Sequence, residues 1–261
     1  MNPESLTIQP QEPGQRIDKL LALNYPLFSR TYFQRMIEEG FVLLNGHPVK
    51  KRIALETGDE IEVCFQLPPE SSLAPEEIPL DILYEDEHLI AVNKPEGMVV
   101  HPGPGHPTGT FVNALLAHCR ELAPTTDPLR PGIVHRLDKE TSGVLLAAKT
   151  PLAHQKLVHA FASRQMEKTY LAVCLGRPPA ITLDAPIGRH PVHRKEMAVL
   201  QEGGKEAISQ IQTLAFNDSI SLVLIRPKTG RTHQIRVHLK HLGTPILGDA
   251  VYGRSKSNEE K

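Results

Sequence analysis

The passage at 132–148 constrains the fold more than any other part of the chain. It reads GIVHRLDKETSG and continues into the apolar run VLLAA. If Ile133 to Leu137 is extended, alternate residues share a face, so Arg136 and Asp138 lie on the side opposite Ile133 and Leu137. The passage therefore predicts two strands that flank a Thr-Ser-Gly turn, with a charged pair presented together.

Taken alone, this pattern leaves two interpretations open. A surface ion pair at a strand end, followed by a turn, has the same residues, because aspartate is a common turn former. A reactive carboxylate held beside an arginine is the second interpretation. Periodicity does not distinguish them, so the decision depends on the wider sequence.

The wider sequence resembles the pseudouridine synthases of the large-subunit ribosomal RNA type. Three further blocks occur in the order that this family shows: NKPEG, EKTY and TGRTHQIRVHL, which begin at Asn93, Glu167 and Thr229. The resemblance runs from about Gly14 to Gly253, and the segment at 99–116 is most similar to the synthase usually lettered D. It implies an enzyme that isomerises specific uridines to pseudouridine in RNA, with large-subunit ribosomal RNA as the expected partner and transfer RNA as an alternative.

The resemblance also implies a catalytic set of three residues: Asp138, Tyr170 and Arg236. Moving the sugar from N1 to C5 of uracil requires a carboxylate against the sugar and a base for the C5 proton. Asp138 matches the family carboxylate, Tyr170 the tyrosine expected against the uracil, and Arg236 the cation that keeps the aspartate ionised. Whether Asp138 acts as nucleophile or base stays open. Nothing is oxidised or added, so no cofactor and no metal are implied.

Five further cations are expected to contact RNA. Arg136 matches an arginine implicated in filling the stack that a flipped nucleotide leaves, since a planar guanidinium can replace lost stacking. Arg231 and Lys94 are expected as phosphate or positioning contacts, with ordinary surface roles as the alternative. Arg30 and Arg35 lie near the start of a predicted helix, where phosphate oxygens are favoured.

Composition divides the chain into four parts. Residues 1–13 are polar and proline-rich and predict a flexible N-terminus. Residues 14–66 resemble the S4-like RNA-binding module that often precedes these catalytic domains. Residues 67–77 are rich in proline, serine and acid, as linkers are. Residues 78–261 remain for the catalytic domain.

The module is predicted as a helix-helix-strand unit. Helical spacing begins at Ile17, and Ser29 is a good N-cap for a second helix over residues 30–39. An Asn-Gly pair at 45–46 predicts a tight hairpin turn, and a strand is expected over 60–65.

The remainder predicts an α+β domain with a mixed, largely antiparallel sheet, because strand runs alternate with helices and short turns. Strands are expected at 82–84, 89–92, 133–137, 144–148, 170–175, 207–214 and 221–225. Helices are expected at 110–119, around 157–161 and at 232–242.

Charge and cysteine usage exclude several classes of protein. The chain has 29 basic and 30 acidic residues, although residues 149–195 hold eight Lys or Arg against two acids, which suits a face that meets phosphates. Its cysteines, Cys64, Cys119 and Cys174, predict neither a disulfide framework nor a zinc site. Neither a signal peptide nor ~18 consecutive apolar residues is present, so we expect a cytoplasmic protein, with monomer as the default.

Metal-protease, nucleophile-elbow and phosphate-loop motifs are also missing from the sequence. One departure from the family pattern bears on activity. The family usually continues past the position of Gly253 with a Leu-His-Ala type segment and a last strand, and this sequence stops at Lys261. We therefore expect a shortened C-terminal segment, and keep a non-catalytic RNA-binding or ribosome-assembly factor as the alternative function.

Overall fold

The computed structural model describes residues 4–6, 14–25, 28, 30–66, 73–103, 105–119, 122–123, 130–193 and 196–253. Backbone contacts divide the chain into two units, Met1–Val158 and His159–Lys261, and each is described by itself. In the described ranges, no helix combines the length and the apolar character that crossing a membrane requires.

The N-terminal part of the first unit has the predicted helix-helix-strand character. Its helices are α1 (Ile17–Asn24) and α2 (Arg30–Glu38). Its antiparallel sheet has the order β1-β4-β2-β3, from the strands β1 (Glu4–Leu6), β2 (Val42–Leu44), β3 (His47–Pro48) and β4 (Ile61–Val63). Apolar residues of both helices and of β2 and β4 share one core.

Two details of this sheet bear on the sequence predictions. The Asn45-Gly46 turn is confirmed: both residues have positive φ, 52° and 76°, as a two-residue hairpin of this type requires. Strand β1 lies within the segment predicted to be a flexible N-terminus, and it pairs with β4 in register from Glu4↔Val63 to Leu6↔Ile61. Ser29, the expected N-cap, lies outside the described residues.

The rest of the first unit contains a three-stranded antiparallel sheet in the order β5-β6-β7. Its strands are β5 (Ile82–Glu85), β6 (Leu89–Lys94) and β7 (Gly143–Ala148). Helix α3 (Phe111–His118) begins with a capping box between Thr110 and Asn113. The described end of the predicted linker is bound to this helix start, because the Asn113 side chain donates to the Ala74 carbonyl at 2.8 Å.

The second unit is built on a four-stranded antiparallel sheet in the order β8-β13-β12-β9. Its strands are β8 (Tyr170–Leu175), β9 (Ile181–Asp184), β12 (Ile208–Phe216) and β13 (Ile220–Pro227). A separate hairpin joins β10 (Ile187–Arg189) and β11 (Met197–Val199). Helix α4 (Pro151–Ala162) follows β7 in the chain and contains the boundary between the two units, and the helix of the second unit is α5 (Gln234–His241).

The α+β prediction is confirmed, and the strand pairs of the described residues are all antiparallel. Three short strands, β9, β10 and β11, were not predicted, because three or four residues with little alternation carry a weak signal. The strand predicted at 133–137 is also absent: the segment makes a single isolated bridge, Ile133↔Ala147, and then leaves the ladder.

Candidate active site

Asp138 lies at the first position of a tight turn in the first unit. The Thr141 N–H donates to the Asp138 carbonyl at 3.1 Å, so the turn comes earlier than the predicted Thr-Ser-Gly turn. Aspartate is favoured at this position. The predicted alternation holds here, since Leu137 is buried, Arg136 is exposed and Asp138 is half-buried. Asp138 and Arg136 are thus both partly accessible on the side opposite the core.

The segment before this turn is held against β7 by individual hydrogen bonds in place of a ladder. The Ala148 N–H donates to the Gly132 carbonyl at 2.8 Å. The Leu146 N–H donates to the His135 imidazole Nε2 at 2.9 Å. His135 therefore supplies the acceptor that a backbone carbonyl would provide in a regular strand.

Gly132 allows the segment to approach β7 this closely. Its φ is +70°, and a Cβ at this residue would lie 2.6 Å from the Ala148 carbonyl oxygen. Only glycine combines this backbone conformation with this contact.

Lys94 is fully buried at the end of β6. Its ammonium donates to three backbone carbonyls: Pro95 at 2.7 Å, Met98 at 2.9 Å and Lys139 at 3.1 Å. Lys139 directly follows Asp138, so these bonds tie the Asp138 turn to the loop after β6. This burial argues against the phosphate contact expected for Lys94 and favours the positioning alternative.

The electrostatic surroundings of Lys94 include the Asp138 turn. Burial lowers the pKa of Lys94, while the carboxylates of Glu140 and Asp138 act in the opposite direction. Burial is the stronger of these influences, so the net pKa of Lys94 is lowered.

Tyr170 and Arg236 lie in the second unit. Tyr170 begins β8 opposite Ile225 of β13, and it is partly buried against a core that includes Cys174, Val223 and Leu239. A core aromatic is the alternative role for this tyrosine, and its contacts are compatible with that role as well as with a ring presented to a base.

Arg236 lies on α5 and forms a two-pronged ion pair with Asp249. Its Nε donates to Oδ2 at 2.7 Å, and its Nη2 donates to Oδ1 at 2.9 Å. The two side chains are only 16% and 5% exposed. Burial acts to raise the pKa of Asp249, but hydrogen bonds from Arg236 and from the Tyr252 and Val251 N–H groups outweigh it, so the net pKa is lowered.

Tyr252 completes the surroundings of this arginine. The Arg236 Cζ lies 4.8 Å from the centre of the Tyr252 ring. The ring is 1% exposed, and its hydroxyl accepts the Met197 N–H at 2.8 Å and lies 2.8 Å from His233 Nδ1. Sequence reasoning did not select Asp249 or Tyr252. The available signal was the GDAVYG spacing at 248–253, in which an aspartate can cap its own turn.

Arg231 is half-buried in the loop before α5. Its Nε donates to the Glu206 carbonyl at 2.8 Å, and its N–H donates to Gln234 Oε1 at 3.0 Å. The Arg231 side chain thus holds the segment before β12 as well as being a candidate for RNA contact.

Arg30 and Arg35 of the N-terminal module are also engaged within the protein. Arg30 donates to Asp18 through Nε and Nη2, at 2.9 Å and 3.4 Å, and Arg16 donates to the same buried carboxylate. Arg35 Nε lies 3.7 Å from Glu39, and its guanidinium faces the Tyr32 ring at 5.9 Å. Two arginines on one buried aspartate retain a net positive charge at this site, which suits an anionic partner.

The predicted residues thus lie in three places. In the first unit, Lys94 is bonded to the turn that carries Asp138, and Arg136 lies just before that turn, while Arg30 and Arg35 belong to the N-terminal module. In the second unit, Tyr170 lies on β8, Arg231 in the loop before α5 and Arg236 on α5.

One group of metal-ligand types is found among the described residues: Glu85, His118 and Cys119, whose ligand atoms lie within 4.8 Å of one another. The Lys149 ammonium lies 2.8 Å from Glu85, and His118 Nε2 lies 2.8 Å from the same side chain. Burial raises the pKa of Cys119, which opposes the thiolate that a metal needs. This group fits an ion-pair network better than a metal site.

A family model described as RNA pseudouridylate synthase matches residues 88–241, and an S4 domain model matches residues 15–61. These ranges lie within the predicted catalytic domain and the predicted module.

Individual relatives match over nearly the whole chain. An uncharacterized RNA pseudouridine synthase of Bacillus subtilis is 42% identical, covering 98% of this chain and 85% of the relative. Ribosomal large subunit pseudouridine synthase D of Xanthomonas campestris is 43% identical, covering 92% and 72%. A solved structure of human RNA pseudouridylate synthase domain containing 1 is 28% identical with a TM-score of 0.57, covering 70% of this chain and 73% of that one.

Proposed function

Because the chain belongs to the RNA pseudouridylate synthase family, we propose that it converts uridines of large-subunit ribosomal RNA to pseudouridine, without a cofactor and with Asp138 as the essential carboxylate. The observation that supports this substrate is the 43% identity to a ribosomal large subunit pseudouridine synthase D over 92% of the chain. An S4 domain match at 15–61 supports RNA as the partner.

The surroundings of Asp138 support its role. The residue lies in a turn that Lys94 anchors, it is half-buried, and Arg136 precedes it on the exposed side. A partly accessible carboxylate on an anchored turn can reach a sugar while staying in one orientation, which is how preorganised groups contribute to rate. Arg136 is assigned to fill the place in the base stack that the flipped nucleotide leaves.

Tyr170 and Arg236 are assigned to the same reaction. Tyr170 is the group expected against the uracil ring, where a phenol can accept the C5 proton directly or through water. Arg236 is the cation expected to favour the ionised form of the catalytic aspartate. A guanidinium has five N–H donors, and Asp249 accepts hydrogen bonds from two of them.

The test is Asp138→Asn, which keeps the shape of the side chain and removes its charge. Pseudouridine formation in large-subunit ribosomal RNA should be lost, while binding of the same RNA should stay within about twofold, because the change removes an interaction used in the transition state. Glu140→Gln is the matched control, since it neutralises an exposed carboxylate in the same turn and should leave conversion unchanged. Conversion that persists in Asp138→Asn would refute the assignment.

The substrate is tested separately by mapping pseudouridines in RNA from cells with and without the gene. Loss at positions in large-subunit ribosomal RNA is the expected result. Loss confined to transfer RNA would replace the substrate but keep the reaction, whereas an unchanged map would favour a non-catalytic RNA-binding factor.

A further inference from the structure

The loop after α5 determines the direction in which the Arg236 guanidinium points. Asp249 accepts hydrogen bonds from its Nε and Nη2, which form one edge of the fork. Two parallel bonds fix the guanidinium plane as well as its distance from the carboxylate. The Tyr252 ring lies beside that plane, with the Arg236 Cζ 4.8 Å from its centre.

Hydrogen bonds within residues 249–253 hold the loop after α5 together. Asp249 Oδ1 also accepts the N–H groups of Val251 and Tyr252, both at 2.9 Å. The Gly253 N–H donates to the Asp249 carbonyl at 2.8 Å, and a Cβ on Gly253 would lie 2.5 Å from that oxygen. Residues 249–253 therefore form one compact turn, with the carboxylate directed at Arg236.

The Tyr252 hydroxyl anchors this turn to two other segments. It accepts the Met197 N–H of β11, and burial raises the pKa of the phenol, so the group keeps its proton. The proton is then available to His233 Nδ1, 2.8 Å away. His233 immediately precedes α5 and has a φ of 57°, so this bond holds the start of the helix that carries Arg236.

We propose that Asp249 and Tyr252 are positioning residues for Arg236: they hold one edge and one face of its guanidinium so that its remaining N–H groups point in one direction during the reaction. This inference rests on the proposed role of Arg236. Both side chains are almost fully buried, so their action is through Arg236. Their effect is to reduce the number of orientations that a long, flexible arginine can adopt before the transition state.

The experiment is a double-mutant cycle with Asp249→Asn and Arg236→Lys. Asp249→Asn removes the charge and one acceptor of the two-pronged pair, so kcat should fall on the order of 10- to 100-fold while KM for the RNA changes by less than about twofold. Arg236→Lys keeps the positive charge but replaces the planar guanidinium with an ammonium, which two parallel hydrogen bonds cannot orient. In that background, Asp249→Asn should therefore have little further effect on kcat.

Two results would overturn the inference: an equal fall in kcat in both backgrounds, or no fall in either. Asp218→Asn is the matched control, because this aspartate is exposed in a turn of the same unit, and it should leave kcat unchanged. Asp138→Asn, measured in parallel, separates the two proposals. If it abolishes conversion while Asp249→Asn does not reduce kcat, only the positioning inference fails.

Tyr252→Phe provides an independent variant if Asp249→Asn does not fold. It keeps the ring beside Arg236 and removes only the hydroxyl that binds Met197 and His233. We expect a fall in kcat of roughly 3- to 10-fold, because the guanidinium of Arg236 would be less well oriented. This fall should disappear in the Arg236→Lys background. An unchanged kcat in a folded Tyr252→Phe protein would exclude the anchoring role of the hydroxyl.

Discussion

Lys94 in the first unit and Arg236 in the second are both largely buried cations, but different kinds of hydrogen-bond acceptor stabilise them. The Lys94 ammonium donates to three backbone carbonyls, whereas the Arg236 guanidinium donates to the carboxylate of Asp249. A compact ammonium with three donors can gather carbonyls from several directions, while a planar fork matches a carboxylate. Lys94 thus positions the backbone around it, and the Asp249 loop positions Arg236.

The largest expected effect tests the first half of this comparison. Lys94→Ala removes the ammonium that links the carbonyls of Pro95, Met98 and Lys139, and should lower the free energy of unfolding by about 3 kcal/mol. Urea unfolding measures this change. Lys139→Ala is the control, since its side chain is exposed and its backbone carbonyl faces Lys94. It should change stability by less than about 0.5 kcal/mol. Equal losses in the two variants would mean that the ammonium does not hold the turn.

An intermediate effect is expected from Gly132→Ala. The substitution forces a positive φ on an alanine and directs its Cβ at the Ala148 carbonyl oxygen, 2.6 Å away. The free energy of unfolding should fall by about 2–3 kcal/mol, from backbone conformation and steric overlap together. Gly109 has nearly the same φ, +68°, with nothing within 4 Å of its Cβ position. Gly109→Ala should therefore cost only about 1 kcal/mol. If urea unfolding gives the same loss for both, the close approach to β7 is not what requires glycine.

The smallest effect concerns a third way to accommodate a buried ionisable group. His238 of α5 is fully buried, between the Ser209 hydroxyl and the Ala185 carbonyl, and burial lowers its pKa from the ordinary value of 6.5. Below pH 6.5 the unfolded chain therefore binds a proton that the folded chain does not. The free energy of unfolding should therefore fall as the pH is lowered through this window, until the pH passes the folded-state pKa of His238.

Thermal unfolding between about pH 7.5 and 5.5 checks this expectation. His238→Gln should show a flatter dependence of Tm on pH than the wild type, whatever its absolute Tm. His47→Gln is the control: it removes an exposed histidine that is not among the groups acting on His238, so it should leave the His238 contribution to the slope in place. If Tm depends on pH equally in the wild type and in His238→Gln, groups other than His238 cause the pH dependence.

Much of the fold could be predicted because it depends on local patterns. Tyr170–Leu175 and the Asn45-Gly46 hairpin agree with prediction, since alternation and turn chemistry are readable over a few residues. The segment at 133–137 was wrongly predicted as a strand for a specific reason. Its apolar alternation is that of a strand, but the contacts that hold it to β7 are the His135 imidazole and one bridge to Ala147.

The sequence by itself determined the family, the α+β class and the candidate reactive residues, because those depend on residue types in a fixed order. The surroundings of the charged residues were decided only by the tertiary structure. Lys94 was expected to contact phosphate or to position the RNA, and the fold buries it completely. Arg236 is joined by Asp249, thirteen residues away. A charge is stabilised by whichever oxygens the fold brings within about 3 Å, and a linear pattern does not contain those distances.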